Sequence, residues 1–162
     1  MRRRCPLPSY LLCTRRSSRW WQDWAARPAE IASRVSFAGG SFLDADPTTN
    51  GLPQNAPTYV IRHVLWDWSD AEVVSILRNV RAAMDADGRA KAAGRTLLLC
   101  EMLLARRPRQ YARQTSMQLL VLNNGFIRTE AHMGRLLQEA GFAPGAVHHM
   151  RAIDSIISAS VP

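Results

Sequence analysis

The sequence predicts an α/β fold, a sheet with helices on both faces. Three observations point there. From Arg19 onward, short apolar runs alternate with amphipathic stretches, the order of strands followed by helices. Thr58–Leu65 is apolar on both faces apart from Arg62 and His63, as in a strand covered from two sides. Of the 162 residues, 47% are hydrophobic and 21% charged, enough for one ordinary core without disulfides or a structural metal.

The elements follow in order. Trp20–Ala32 reads as a helix and Arg34–Phe37 as a short strand. Ala38–Phe42 turns into a polar loop, Asp44–Pro57, rich in Pro, Asn, Thr and Gly. The strand Thr58–Leu65 comes next. Ser69 and Glu72 have the capping-box spacing, and Val73, Ile76, Leu77, Val80 and Met84 then fall on one helical face. Asp85–Gly94 is a loop with two glycines. Arg95–Leu104 is a nearly unbroken apolar strand, and its one carboxylate, Glu101, is costly if buried without partners. Tyr111–Leu122 and Thr129–Ala140 read as helices, the second with Met133, Leu136, Leu137 and Ala140 on one face and Gly141 as a left-handed cap. Val147–Ile153 and Ser155–Val161 close the chain as a hairpin at the sheet edge.

Charge separates residues 1–18 from the rest. The net charge is +8, but six of the 21 basic residues lie within the first 19 positions, where there is no acid. The fifteen that remain nearly match thirteen acids. Residues 1–18 are therefore expected to be a basic leader without order, and 19–162 the domain. Within the leader, Ser9–Cys13 could pair as a short strand with nothing to fix where. The leader's composition fits a mitochondrial targeting peptide, although Pro6 and Pro8 break the helix such peptides form. No recognition helix or aromatic groove accompanies the basic residues, so nucleic acid is not an expected partner. No apolar stretch approaches the ~18–20 residues of a membrane span, and with no apolar signal core the expected location is the cytoplasm. Cys5, Cys13 and Cys100 are too few and too scattered for a disulfide framework or a metal site.

Four stretches carry a likeness: RVSFAGGSF (34–42), YVIRHVLWDWSDAEVVSILRNVRAAM (59–84), GRTLLLCEMLL (94–104) and NNGFIRTEAHMGRLLQEAGF (123–142). In this order they resemble the C-terminal half of the S-adenosylmethionine-dependent O-methyltransferases of the plant caffeate type and their fungal secondary-metabolite relatives. The resemblance implies the C-terminal portion of a Rossmann-like class I methyltransferase sheet, whose central first strands have no counterpart here unless the leader supplies one. Otherwise the strand at Arg34–Phe37 loses its ladder partner, and Thr58–Leu65 becomes an apolar edge open to another chain. It also implies methyl transfer to a hydroxyl of a small aromatic or polyketide-like metabolite. The family's homodimer, built on an N-terminal helical domain, does not carry over.

In such enzymes a histidine takes the hydroxyl proton while two glutamates orient it, and proton removal of this kind contributes about 10²–10⁴-fold. The histidine position falls on Trp66, in LWDW where relatives read LHDW. An indole N–H donates a hydrogen bond and accepts no proton. The first glutamate is kept as Glu101; the second falls on Ile127. His63, three residues before Trp66 on the same expected strand, should face the other side of the sheet as a structural histidine. His148 and His149 fall in the expected edge strand, in solvent.

On the cofactor side the Gly-rich loop is missing, and Gly39-Gly40 belongs to the later loop that frames the adenine. By resemblance Ser41, Phe42, Arg62 and Trp68 sit at cofactor positions, and Asp67 and Asn123 at substrate positions. Arg62 has a second reading, pairing with a carboxylate, and Trp68 a second reading as core. The expectation is an O-methyltransferase by family, inactive alone, with S-adenosylmethionine bound weakly or not at all. The alternative is a non-catalytic protein docking on an intact relative.

Overall fold

The computed structural model describes residues 9–13, 35–104, 110–123, 125–151 and 153–162. The helix expected at Trp20–Ala32 and most of the leader lie outside them. The chain divides into two units, Met1–Pro53 and Gln54–Pro162.

In the first unit, β1 (Ser9–Cys13) and β2 (Val35–Gly39) form a parallel pair, in register from Ser9 opposite Val35 to Cys13 opposite Gly39. The leader therefore supplies β2 with a ladder partner. Beyond β2 the backbone of Asn50 crosses so near Gly40 that a Cβ there would collide with it. Asn50 is buried, and its side-chain oxygen accepts the Leu52 N–H at 2.9 Å.

The second unit is a four-stranded sheet in the order β3-β4-β6-β5. Here β3 is Thr58–Arg62, β4 Thr96–Met102, β5 Ala143–His149 and β6 Asp154–Ser160. β3 runs parallel to β4, while β6 runs antiparallel to both β4 and β5. The closing hairpin is present, with β5 outermost and β6 inserted against β4. β5 begins four residues earlier than Val147, and a bulge between Pro144 and Val147 lets an edge strand hold the proline. β3 forms the other edge, with Val60 60% exposed.

Among the described residues three α-helices accompany this sheet: α1 (Asp70–Met84), α2 (Gln110–Asn123) and α3 (Glu130–Glu139). The capping box is made, as Glu72 accepts from the Ser69 N–H at 2.9 Å and from its hydroxyl at 2.6 Å. All five apolar-face residues of α1 are buried. Each such side chain contributes roughly 1.5–3 kcal/mol. Thr129 caps α3, and α1 packs beside α3. Gly141 follows α3 with φ +86°, and a Cβ there would press on the Arg81 side chain, whose Nε donates to the Gly141 carbonyl at 3.0 Å. At the far end of α1, buried Arg95 donates to the Met84 carbonyl and to both oxygens of Asp87. No helix among the described residues is long and apolar enough to cross a membrane.

Candidate functional site

β3 stops three residues short of Leu65, and the reason is local. His63 has φ +53°, a left-handed backbone that a non-glycine residue rarely adopts. The chain then tightens into one turn of 3-10 helix, Leu65–Asp67. Glu101, 2% exposed near the end of β4, accepts the N–H groups of Val64 at 3.0 Å and Leu65 at 3.1 Å. Burial pushes its carboxyl up, against the pull of those amides and of the His63 and Arg128 charges.

The far side of the turn is held by Arg128, buried just before α3. It donates to the carbonyls of Leu65 at 2.9 Å and Trp68 at 2.7 Å, and to Asp70 at 2.7 Å. Its guanidinium also lies over the Phe126 ring, 4.4 Å from the centroid. His132 reaches the other Asp70 oxygen at 2.8 Å. Burial raises the Asp70 carboxyl, but the bonds from Arg128 and His132 outweigh it and hold it below the ordinary value. Gly125 completes the frame, because a Cβ there would run into the Trp66 carbonyl oxygen.

Within this frame the two rings of the segment meet. Trp66 packs against a buried cluster of Met102, Ala112 and Ile127, with Leu104 and Leu119 alongside. The expectation that His63 faces away from Trp66 is overturned. The two rings stack, with centroids 4.5 Å apart and planes 23° from parallel. Two-residue alternation fails because the strand ends at Arg62 and the left-handed turn at His63 swings the chain round. The His63 Nε2 lies 2.7 Å from Asp154, the first residue of β6, and Arg62 reaches the other oxygen of that carboxylate at 3.3 Å. The carboxylate reading of Arg62 is thus realised.

Sequence reasoning named Trp66, Glu101 and Ile127 and missed Asp154, Arg128 and Gly125. Arg128 and Gly125 stand in the NNG-x-x-RT stretch, where a glycine and an arginine beside a buried run hinted at a close approach and an internal tie. No local pattern marked Asp154; only the pairing of β6 with β4 brings it opposite Met102.

The remaining positions divide between the units. Ser41 is exposed and Phe42 buried in the first. Trp68 and Asp67, in the second, are partly buried, and Asn123 ends α2. The open side of Gly40 is filled by the chain's own backbone at Asn50, which leaves no glycine cradle there for a ligand. Taken unit by unit, Gly40 is filled by Asn50 in the first and the Arg62 side chain is engaged with Asp154 in the second, so neither fits a cofactor as it stands. His148 and His149 are exposed as expected. No group of three or more potential metal ligands occurs among the described residues.

The chain can be set beside known proteins. The O-methyltransferase domain model matches residues 24–143. The mitomycin biosynthesis 6-O-methyltransferase of Streptomyces lavendulae is 34% identical over 111 residues, 68% of this chain and 28% of that enzyme. The solved mitomycin 7-O-methyltransferase MmcR superposes with a TM-score of 0.72 at 28% identity, over 90% of this chain and 38% of that one. NcsB1, an O-methyltransferase from neocarzinostatin biosynthesis solved with S-adenosyl-L-homocysteine and 1,4-dihydroxy-2-naphthoic acid, gives 0.67 at 26% identity, over 89% and 38%. The chain spans about a third of the length of these relatives. With the strand–turn–helix frame around Trp66 and the sheet order in place, the chain belongs to the O-methyltransferase domain family and corresponds to the C-terminal part of its members.

Proposed function

We propose that this is an O-methyltransferase domain without the family's proton acceptor, and that alone it does not methylate a hydroxyl. One observation carries the reading. Trp66, at the base position, packs on the cluster that contains Ile127, at the second glutamate position. The surviving carboxylate, Glu101, is committed to the Val64 and Leu65 amides. A base and one of its two orienting carboxylates are thus replaced by a packed ring and an aliphatic side chain, and the carboxylate that remains clamps the backbone. The small-molecule partner we assign is an aromatic hydroxyl compound, the class found with NcsB1.

S-adenosylmethionine is the family's methyl donor, and we infer that this chain binds it weakly or not at all. The filled glycine turn at Gly40 and the engaged Arg62 side chain support that reading. Titration calorimetry is expected to give no measurable heat, and micromolar affinity contradicts this. Incubating the purified chain with methyl-labelled cofactor and a panel of phenols should transfer no label above the buffer control. Turnover would overturn the main reading. Conversely, Trp66→His with Ile127→Glu, joined to the N-terminal portion of an intact relative, should gain at least ~100-fold in transfer over the same fusion unmutated.

The exposed Val60 on edge strand β3 favours a second reading, a non-catalytic partner of an intact relative. Native mass spectrometry of the mixture tests it; separate masses only would remove it.

A further inference from the structure

Helix α2 carries apolar side chains on two opposite faces. The inner face, Ala112, Ser116 and Leu119 at i, i+4 and i+7, turns to the Trp66 cluster. Ala112 is buried there, Leu119 packs against it, and the Ser116 hydroxyl accepts the Ile127 N–H at 3.3 Å. The outer face, Arg113, Met117, Leu120 and Val121, repeats at i, i+4, i+7 and i+8 and meets solvent, with Met117 69%, Leu120 57% and Val121 83% exposed. With Tyr111, α2 holds four of the seven large apolar side chains left exposed among the described residues. Single exposed apolar side chains are ordinary, but a stripe of neighbours one turn apart marks an interaction surface.

Charge narrows what can cover this stripe. No aspartate or glutamate occurs between Glu101 and Glu130, while Arg106, Arg107, Arg109, Arg113 and Arg128 do. Arg128 is committed to the carbonyls of Leu65 and Trp68, which leaves four arginines just before α2 or in its first turn. A second copy would set these arginines against its own, so like charges disfavour a dimer through this face. A nucleic acid would meet the arginines but gain nothing from Met117, Leu120 and Val121, since its backbone rewards charge. A convex stripe of flexible apolar side chains with cations at one end suits a plane that is negative at its surface and apolar beneath.

We propose that α2 docks the chain on an anionic lipid surface. The helix lies in the headgroup plane, with Met117, Leu120 and Val121 among the acyl chains and the arginines on the lipid phosphates and carboxylates. Its 14 residues are too few to span a bilayer, so it lies on one. Near such a surface each arginine strengthens binding about fivefold. The contact involves neither the cofactor nor Trp66, so it stands or falls apart from the reading above.

Vesicle sedimentation with the full chain tests it. Vesicles of mixed phosphatidylserine and phosphatidylcholine should carry the chain down, vesicles of phosphatidylcholine alone should leave it in solution, and added salt should weaken the binding. Met117→Gln combined with Val121→Gln should weaken binding to the mixed vesicles at least about tenfold, and Arg113→Glu by a similar factor. All three side chains are exposed, so circular dichroism and the urea midpoint should not move. The arginines of residues 1–19 are intact in both variants. Full binding by the glutamine pair would therefore assign the attachment to charge alone and overturn the proposal. So would equal sedimentation with both vesicle types, none with either, or a lipid-free dimer that the glutamine pair dissociates.

Discussion

Trp66 and His63 lie face to face, yet they belong to opposite environments. On one side, the indole rests on Met102, Ala112 and Ile127, none more than 8% exposed. On the other, the imidazole meets a carboxylate that also holds an arginine. The apolar side stabilises by exclusion of water and has no group able to move a proton; the polar side has two titratable groups and partial access to solvent. The family position tells where chemistry is expected, and the local environment tells whether it remains.

The sharpest way to break the contrast is to put a charge on the apolar side. Ile127→Glu alone is expected to cost at least about 3 kcal/mol, read as the shift in urea midpoint, because an unpaired carboxylate enters a site 1% exposed. Ile127→Met, nearly equal in volume, should cost less than about 1.5 kcal/mol. Similar losses for both would mean that the site is not packed as described. Arg128→Met should follow at about 3 kcal/mol, since it strips the carbonyls of Leu65 and Trp68 of their donor. Tryptophan fluorescence should shift with it as the turn loosens.

On the polar side the effects are smaller and depend on pH. Asp154→Asn should cost about 1 kcal/mol near neutrality. Burial raises the Asp154 carboxyl, but the His63 hydrogen bond and charge, helped by Arg62, outweigh this and hold it below its ordinary value of 3.8. Its contribution is therefore present above that value and disappears as pH falls through the lower folded one. Wild type and Asp154→Asn should converge in stability on acidification; a difference that persists at the acid end would remove the ionic account. Asp87 serves as a control away from both rings. Arg95 holds it at about 2, so its contribution should fade between pH 3.8 and about 2, and Asp87→Asn should lose that part of the acid slope.

Much of this fold was legible from local pattern. The face of α1, its capping box and the Gly141 cap follow from spacing alone, because a helix is a local structure whose period is written along the chain. The site divides differently. Trp66, Glu101 and Ile127 were legible because likeness to a family marks positions. What they do was only half legible: an indole is no base by composition, but its packing on Ile127's cluster depends on α2 and β4 arriving together. The His63 stack was misread because a β-branched, apolar run gives no sign that it will end at Arg62. The turn beyond that end is held by Glu101, a carboxylate 37 residues downstream of Val64, whose N–H it accepts. Asp154 was invisible for the same reason: β3 and β6 both pair with β4, and only that brings it to His63 across 91 residues.

The central claim is that Trp66, which we propose stands at the base position, is a packing residue that shares a core with Ile127. A double-mutant cycle measures this directly: urea unfolding of Trp66→Ala, Ile127→Ala and the combination. Shared packing predicts that the double variant departs from the sum of the single losses by at least about 0.5 kcal/mol. Additivity within about 0.3 kcal/mol would show that the two side chains do not share a core, and would contradict the account.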